Sequence, residues 1–149
     1  MIKVAFATGM YREFGNKGSL PWQGHPNQKH DFTAFKEFTK DCIIVMGRHT
    51  FASLPFRLPN RMNVVISKEN NVRASNGDSA DTYVRNLNVG VRSYLENLDK
   101  YFEQDVVVIG GAGLVRETLD FADEVMYTQF HNRKGYKHDV VMPLLPEYI

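Results

Sequence analysis

Four consecutive β-branched residues, Val106, Val107, Val108 and Ile109, run straight into Gly110 and Gly111 and then into LVRETLDFADE. In that last stretch the apolar Leu114, Val115, Leu119 and Ala122 fall close to a helical period. A strand with one wet face alternates apolar and polar residues. This one does not, so it reads as a strand covered on both faces, which requires helices above and below a parallel sheet. The two glycines strip the side chains from its C-terminal end and aim a helix N-terminus at whatever lies beyond. That geometry suits an anion, most often a phosphate. Paired glycines also permit tight strand-to-helix packing, and the run is not a GxGxxG, so the glycines alone leave both readings open.

The rest of the chain repeats the alternation. Strand-like runs fall at Ile2–Ala7, Cys42–Met46, Asn63–Ser67, Tyr83–Asn86, Val106–Ile109 and Val125–Phe130. Helical patterns fall at His30–Thr39, His49–Leu54, Val91–Phe102 and Gly113–Phe121. The expected fold class is α/β, one domain over 1–149, with a mostly parallel central sheet flanked by helices. The long loop Gly9–Gly24, with Gly15, Gly18 and Pro21, has the length of a lid. Asn70–Asp81 is a polar surface loop.

Composition narrows the function classes. A hydrophobic share of 43% over 149 residues is ample for a core. A net charge of +1 gives no general electrostatic case for nucleic acid or an anionic membrane as partner. The single cysteine, Cys42, excludes an intramolecular disulfide and, beside an apolar run, reads as a buried inert thiol. No apolar stretch approaches the roughly 20 residues of a bilayer span. MIKVAFA opens directly as a strand rather than a signal peptide, so the expected location is cytoplasmic. His25, His30, His49, His131 and His138 show no metal-ligand spacing, and no metal is expected.

Four further stretches carry chemistry. GSLPW, Gly18 to Trp22, closes the long loop. DFTAFKEFT sets Asp31 at the start of a helix with Phe32, Phe35 and Phe38 around it. An Asp in that place is ordinarily a cap or a dipole partner. IVMGRHT repeats the opening theme of buried strand, glycine and helix start, now with Arg48 and His49. LPNRMNVVISK is a turn and a strand that ends in Ser67 and Lys68. Taken singly, Arg48 and Lys68 read as solvated surface charges. Placed at neighbouring strand ends, they could clamp a phosphate, arginine through its planar fork and lysine as a point charge. The backbone amides of Gly110 to Gly113 would face a pyrophosphate, so the set reads as a dinucleotide site.

In this order GSLPW, DFTAFKEFT, IVMGRHTF, LPNRMNVVIS and VIGGAG resemble dihydrofolate reductase, over nearly the whole chain. The resemblance implies NADPH-dependent reduction of 7,8-dihydrofolate, with hydride transfer to C6 and protonation at N5. It makes Asp31 the carboxylate of the pterin pocket, with a pKa raised by desolvation among Phe32, Phe35 and Leu54. It gives Trp22 an ordered water near that site and Thr128 a hydrogen bond to Asp31. Leu20 falls on the lid over the nicotinamide. Arg61 pairs with the α-carboxylate of the substrate's glutamyl tail, and Phe35, Leu54 and Leu58 sandwich the aminobenzoyl ring. Arg48, Ser67 and Lys68 take the 2′-phosphate, and Gly47, His49 and Thr50 lie near the pyrophosphate with Gly110, Gly111, Ala112, Gly113 and Leu114. VAFATGM fits the family in two registers one residue apart, so the nicotinamide contact is shared loosely by Ala5 and Phe6. Ala5, Phe6 and Ile109 are assigned to the substrate side and Ala7 to the cofactor. Diaminopyrimidine or pteridine antifolates are the expected inhibitors.

The chain also departs from the family. It has about four more residues between Trp22 and Asp31, around GHPNQ, which leaves the lid path open. Ala112 replaces the third glycine, and Val115 stands where an aromatic hydroxyl is usual. Asp139, in KHDVVMP, matches the loop acid that holds the lid closed. A typical member continues into two more antiparallel strands, whereas this chain stops at Ile149. Val125–Phe130 is therefore expected as a sheet edge, an arrangement that invites another strand. The tail VVMPLLPEYI, with Pro143 and Pro146, is expected to cover that edge as a packed irregular segment, a homodimer being the other arrangement. Two other functional readings stay open. One is the NADPH-dependent pyrimidine reductase of riboflavin synthesis, which gives no reason for Asp31 on a Phe-rich helix. The other is a catalytically inactive binding or scaffold protein. Turnover of dihydrofolate separates them.

Overall fold

A computed structural model describes residues 1–85 and 87–149. The strands are β1 (Ile2–Gly9), β2 (Glu13–Gly15), β3 (Ile43–Gly47), β4 (Met62–Ile66), β5 (Thr82–Val84), β6 (Val106–Gly110), β7 (Glu124–Phe130) and β8 (Val140–Val141). The helices are α1 (Gln28–Phe38), α2 (Arg48–Ser53), α3 (Val91–Tyr101) and α4 (Ala112–Leu119). Six strands form one sheet in the order β5-β4-β3-β6-β1-β7, and every pairing in it is parallel.

The uninterrupted apolar runs explain the layering. In β1, β3 and β6 the residues of both faces are buried. On one face Val4, Phe6, Val45 and Val108 pack with Leu95 of α3, Val115 and Leu119 of α4, and Met142. On the other, Ala5, Ile44, Met46 and Val107 pack with Phe51 of α2, while Phe35 and Phe38 of α1 close over them. Each fully buried branched aliphatic contributes about 1.5–3 kcal/mol, which fixes the strands between two helical layers.

One feature of the connections matters for function. β3 and β6 are neighbours, yet the chain leaves β3 for α2 on one face and β6 for α4 on the other. The two connections diverge and open a crevice beyond the C-terminal ends of the strands. Such a topological switch point is where open α/β sheets bind ligands.

Observed elements differ from the expected ones by one or two residues at most boundaries. The strand expected at Tyr83–Asn86 is Thr82–Val84, and Asn86 lies outside the described residues. The antiparallel pair β2–β8 was not expected. Its strands have three and two residues, too few for a period to show. The tail makes no strand pairing with β7 among the described residues, and its Met142 and Leu145 pack in the core cluster that also holds Val125 and Tyr127 of β7. Pairing of β8 with β2 turns the tail toward α4 instead. Met142 is buried, its N–H donates to Arg12 O at 2.8 Å, and Arg116 Nε donates to Leu144 O at 2.6 Å. Among the described residues β7 pairs only with β1.

Candidate active site

The crevice is built from bare backbone. Met46 of β3 lies opposite Gly110 of β6. A Cβ on Gly47 would meet Gly111 N at 3.5 Å, and one on Gly110 would meet Thr50 Oγ1 at 2.5 Å. Only glycine fits at Gly110. The Gly110–Gly111 peptide is cis. Helices α2 and α4 begin here, with Gly47 and Gly111 as N-caps and no side-chain cap on either. Their first-turn N–H groups and positive dipole ends therefore face the crevice. Ala112 is the first helical residue of α4. Leu114 packs back toward the core.

Cations border this crevice. Gly47 pairs in register with Ile66, so Arg48 and the Ser67–Lys68 step follow at adjacent strand ends. Arg48 Nη1 is 4.0 Å from Glu69 Oε2, and both side chains are about half exposed. A pair that loose is worth little and leaves the guanidinium available. Ser67 is buried and its Oγ accepts the Glu69 N–H at 3.1 Å. His49 and Lys68 are exposed.

The second part of the site lies across the sheet beside β1. Asp31 is not a cap: the N-cap of α1 is Asn27, and Asp31 stands at the fourth helical position. Its Oδ1 accepts the Thr128 hydroxyl at 2.5 Å, and Ala7, in register with Thr128, lies alongside on β1. Ala5, Phe35, Leu54, Leu58 and Ile109 share this face of the sheet. Phe32 is 48% exposed. Phe6 departs from its assignment. Its side chain is on the opposite face, stacked on Tyr127 with centroids 4.5 Å apart. Strand alternation therefore puts Ala5 and Ala7, not the Phe6 ring, on the side of Asp31.

Arg61 is held by the C-terminal end of α1. Its Nε donates to Thr39 O at 3.0 Å, Nη1 to Pro59 O at 2.7 Å and Nη2 to Lys36 O at 2.8 Å. A guanidinium has five N–H groups, so one N–H remains on each Nη for an incoming anion.

The lid is fastened by two loops. Asp139 Oδ2 accepts the Lys17 N–H at 3.0 Å, and the Asp139 N–H donates to Gly15 O at 2.9 Å. The extra residues before Asp31 form tight turns, with His25 N–H donating to Trp22 O at 2.9 Å and Gln28 N–H to His25 O at 3.0 Å. Leu20 is exposed on the lid. Trp22 is buried, stacked on Phe130 at 5.0 Å and met edge-on by Tyr136 at 6.4 Å. Two residues of this region escaped the sequence reading, Glu13 and Tyr136. Glu13 is completely buried, and its carboxylate accepts the Tyr11 and Tyr136 N–H groups. Only its isolation as an acid next to Phe14 in a lid could have marked it. Burial, and then the Glu13 charge, push the Tyr136 phenol up from its ordinary pKa.

Among the described residues no group of three His, Cys, Asp or Glu is placed to hold a metal ion, and no helix is long and apolar enough to cross a membrane. The sequence and the fold have counterparts among known proteins. The model of the family "Dihydrofolate reductase" matches residues 1–148. The type A10 dihydrofolate reductase of Escherichia coli is 31% identical over 148 residues, covering 96% of this chain and 73% of the relative. The dihydrofolate reductase of Bacillus subtilis is 33% identical over 140 residues, covering 93% and 74%. The type 9 enzyme of Escherichia coli is 32% identical over 115 residues, and the match spans 62% of that relative's length. Among solved structures, dihydrofolate reductase from Enterococcus faecalis complexed with NADP(H) and RAB-propyl superposes with a TM-score of 0.76 at 25% identity, covering 97% of this chain and 78% of that one. With family pattern and fold agreeing along nearly all of its length, the chain belongs to the dihydrofolate reductase family.

Proposed function

We propose that the protein reduces 7,8-dihydrofolate to tetrahydrofolate with NADPH. The observation that carries this is the Asp31–Thr128 pair, set on the same sheet face as an apolar groove and next to the switch-point crevice. The crevice fits the cofactor on its own geometry. A Cβ on Gly113 would meet nothing within 4 Å, so the backbone there is open to a ligand, and two helix starts without side-chain caps point their N–H groups the same way. Gly47, His49, Thr50 and Gly110 to Gly113 would hold the pyrophosphate, with Leu114 behind them. Arg48, Ser67 and Lys68 would take the 2′-phosphate, and Ala7 with Leu20 would flank the nicotinamide. When bound, NADPH supplies the hydride for C6.

The chain's own residues do the rest. Asp31, oriented by Thr128, accepts hydrogen bonds from the 2-amino group and ring nitrogen of the pterin and assists protonation at N5 through water. Trp22 limits solvent on that side. Ala5, Ile109 and the backbone at Phe6 flank the pterin. Phe32, Phe35, Leu54 and Leu58 line the groove for the aminobenzoyl ring. Arg61 turns its remaining N–H groups to the glutamyl carboxylate. The substrate is a small molecule, the location cytoplasmic, and the protein works as a monomer or homodimer.

Consumption of NADPH with dihydrofolate tests this, together with melting in the presence of trimethoprim or methotrexate. Turnover and a melting temperature that rises with ligand concentration are expected. Neither turnover nor any shift at high ligand concentration would leave the scaffold reading.

A further inference from the structure

The lid and the loop before β8 each offer the other a carboxylate, and the two ties are reciprocal. Asp139 of that loop accepts a main-chain N–H of the lid, from Lys17. In the opposite direction, Glu13 at the base of the lid accepts main-chain N–H groups on both of its oxygens. Tyr11 N–H donates to Oε1 at 2.6 Å and Tyr136 N–H to Oε2 at 2.9 Å. Glu13 has no exposed surface. The surroundings make room for it: a Cβ on Gly9 would come within 2.5 Å of Oε1, and Gly135, at φ 73°, lies against Tyr11 and Glu13. The Tyr11 hydroxyl adds a bond to Arg133 O at 2.8 Å from outside.

What Glu13 holds bears on the site. Tyr136 is fixed through its backbone, since its hydroxyl is the one buried side-chain polar atom without a partner among the described residues. Its ring meets the edge of Trp22, Trp22 stacks on Phe130, and Phe130 follows Thr128 on the same face of β7. Thr128 holds Asp31.

We propose that Glu13 is a positioning residue of the reductase site, its buried carboxylate clasping the lid to the 131–139 loop and so seating Trp22 against the strand that carries Thr128. This rests on the reductase reading. The chain has one tryptophan beside seven tyrosines, so emission excited beyond the tyrosine absorption band reports Trp22 alone and tests the seating without turnover. Glu13→Gln keeps the shape but offers one acceptor oxygen where two N–H groups converge. In this variant kcat should fall by about tenfold to a hundredfold, the scale of a small misplacement at a reacting centre, with a smaller change in KM. The isotope effect with deuterated NADPH should rise, and Trp22 emission should shift to the red with easier acrylamide quenching. Tyr136→Phe keeps the clasp and should match wild type on every readout. If Glu13→Gln does not fold, Tyr11→Phe, at an exposed residue, loosens the same clasp from outside and should shift Trp22 and kcat in the same direction by less. A loosened clasp with unchanged kcat, isotope effect or Trp22 emission overturns the proposal while wild-type turnover stands. Absence of wild-type turnover overturns the reductase reading itself.

Discussion

The crevice beyond β3 and β6 and the pocket around Asp31 share one rim of the sheet and are built by opposite means. The crevice consists of missing side chains: Gly47, Gly110 and Gly111, with two helix starts whose N–H groups no side chain caps. Its geometry follows from the sheet itself. The pocket consists of side chains delivered from separate segments, with Asp31 from α1, Thr128 from β7, Arg61 from the turn before β4 and Trp22 from the lid. Its geometry depends on loops staying docked. At Gly110 the first region has no room for an added Cβ, whereas the second tolerates substitution but loses function when an orientation is lost.

The largest effect should come from the pocket. Asp31→Asn should lower kcat/KM at neutral pH by about 10²–10⁴, the usual contribution of a positioned acid or base, while NADPH affinity measured by titration stays close to wild type. Retained kcat/KM would remove Asp31 from the chemistry and erase the contrast. In the crevice, Gly110→Ala should cost about 1–3 kcal/mol through overpacking and weaken NADPH binding as well. Because the added Cβ would collide with Thr50 Oγ1 at 2.5 Å and Cγ2 at 3.1 Å, the second change Thr50→Ala should restore part of the lost melting temperature. Strict additivity of the two changes would show that the clash lies elsewhere.

Smaller again is the cation rim. Neutralising Arg48 and Lys68 together should weaken NADPH more than NADH, by about 1–3 kcal/mol for each charge-assisted hydrogen bond lost, nearer the low end for exposed groups. An equal loss for both cofactors would detach these cations from the 2′-phosphate. The smallest effect belongs to neither region. Burial pushes the Cys42 thiol up from its ordinary pKa. The neutral thiol is favoured in the fold, so its contribution is complete below the unfolded thiol value and disappears as pH rises through the folded one. Cys42→Ala should flatten the alkaline end of the stability profile, above about pH 8.5. An unchanged slope in denaturant melts across that range would refute this.

The layered sheet and the crevice were legible because they rest on long local signals. Val106 to Ile109 is buried on both faces as its composition demands, and the glycines after it mark the strand end. Asp31 was visible only through resemblance, since an Asp at that position in the chain ordinarily reads as a cap or a dipole partner. What decides its role is Thr128, distant in sequence. Phe6 shows the limit from the other side: a one-residue ambiguity of register decides which face a side chain takes. The β2–β8 pair, the course of the tail along α4 and the burial of Glu13 depend on docking between distant segments, for which short stretches carry no period at all.

Arg61 has a consequence for how tightly a negatively charged tail can be gripped. Its guanidinium is already bonded to the carbonyls of Lys36, Thr39 and Pro59 before any ligand arrives. Long flexible side chains ordinarily lose about 0.5–1.5 kcal/mol of rotamer entropy when a complex immobilises them. Here folding has imposed that loss beforehand. A carboxylate that reaches the two free N–H groups meets a rigid fork, so its binding should show a small entropic penalty and a directional preference that a mobile lysine in the same place would lack.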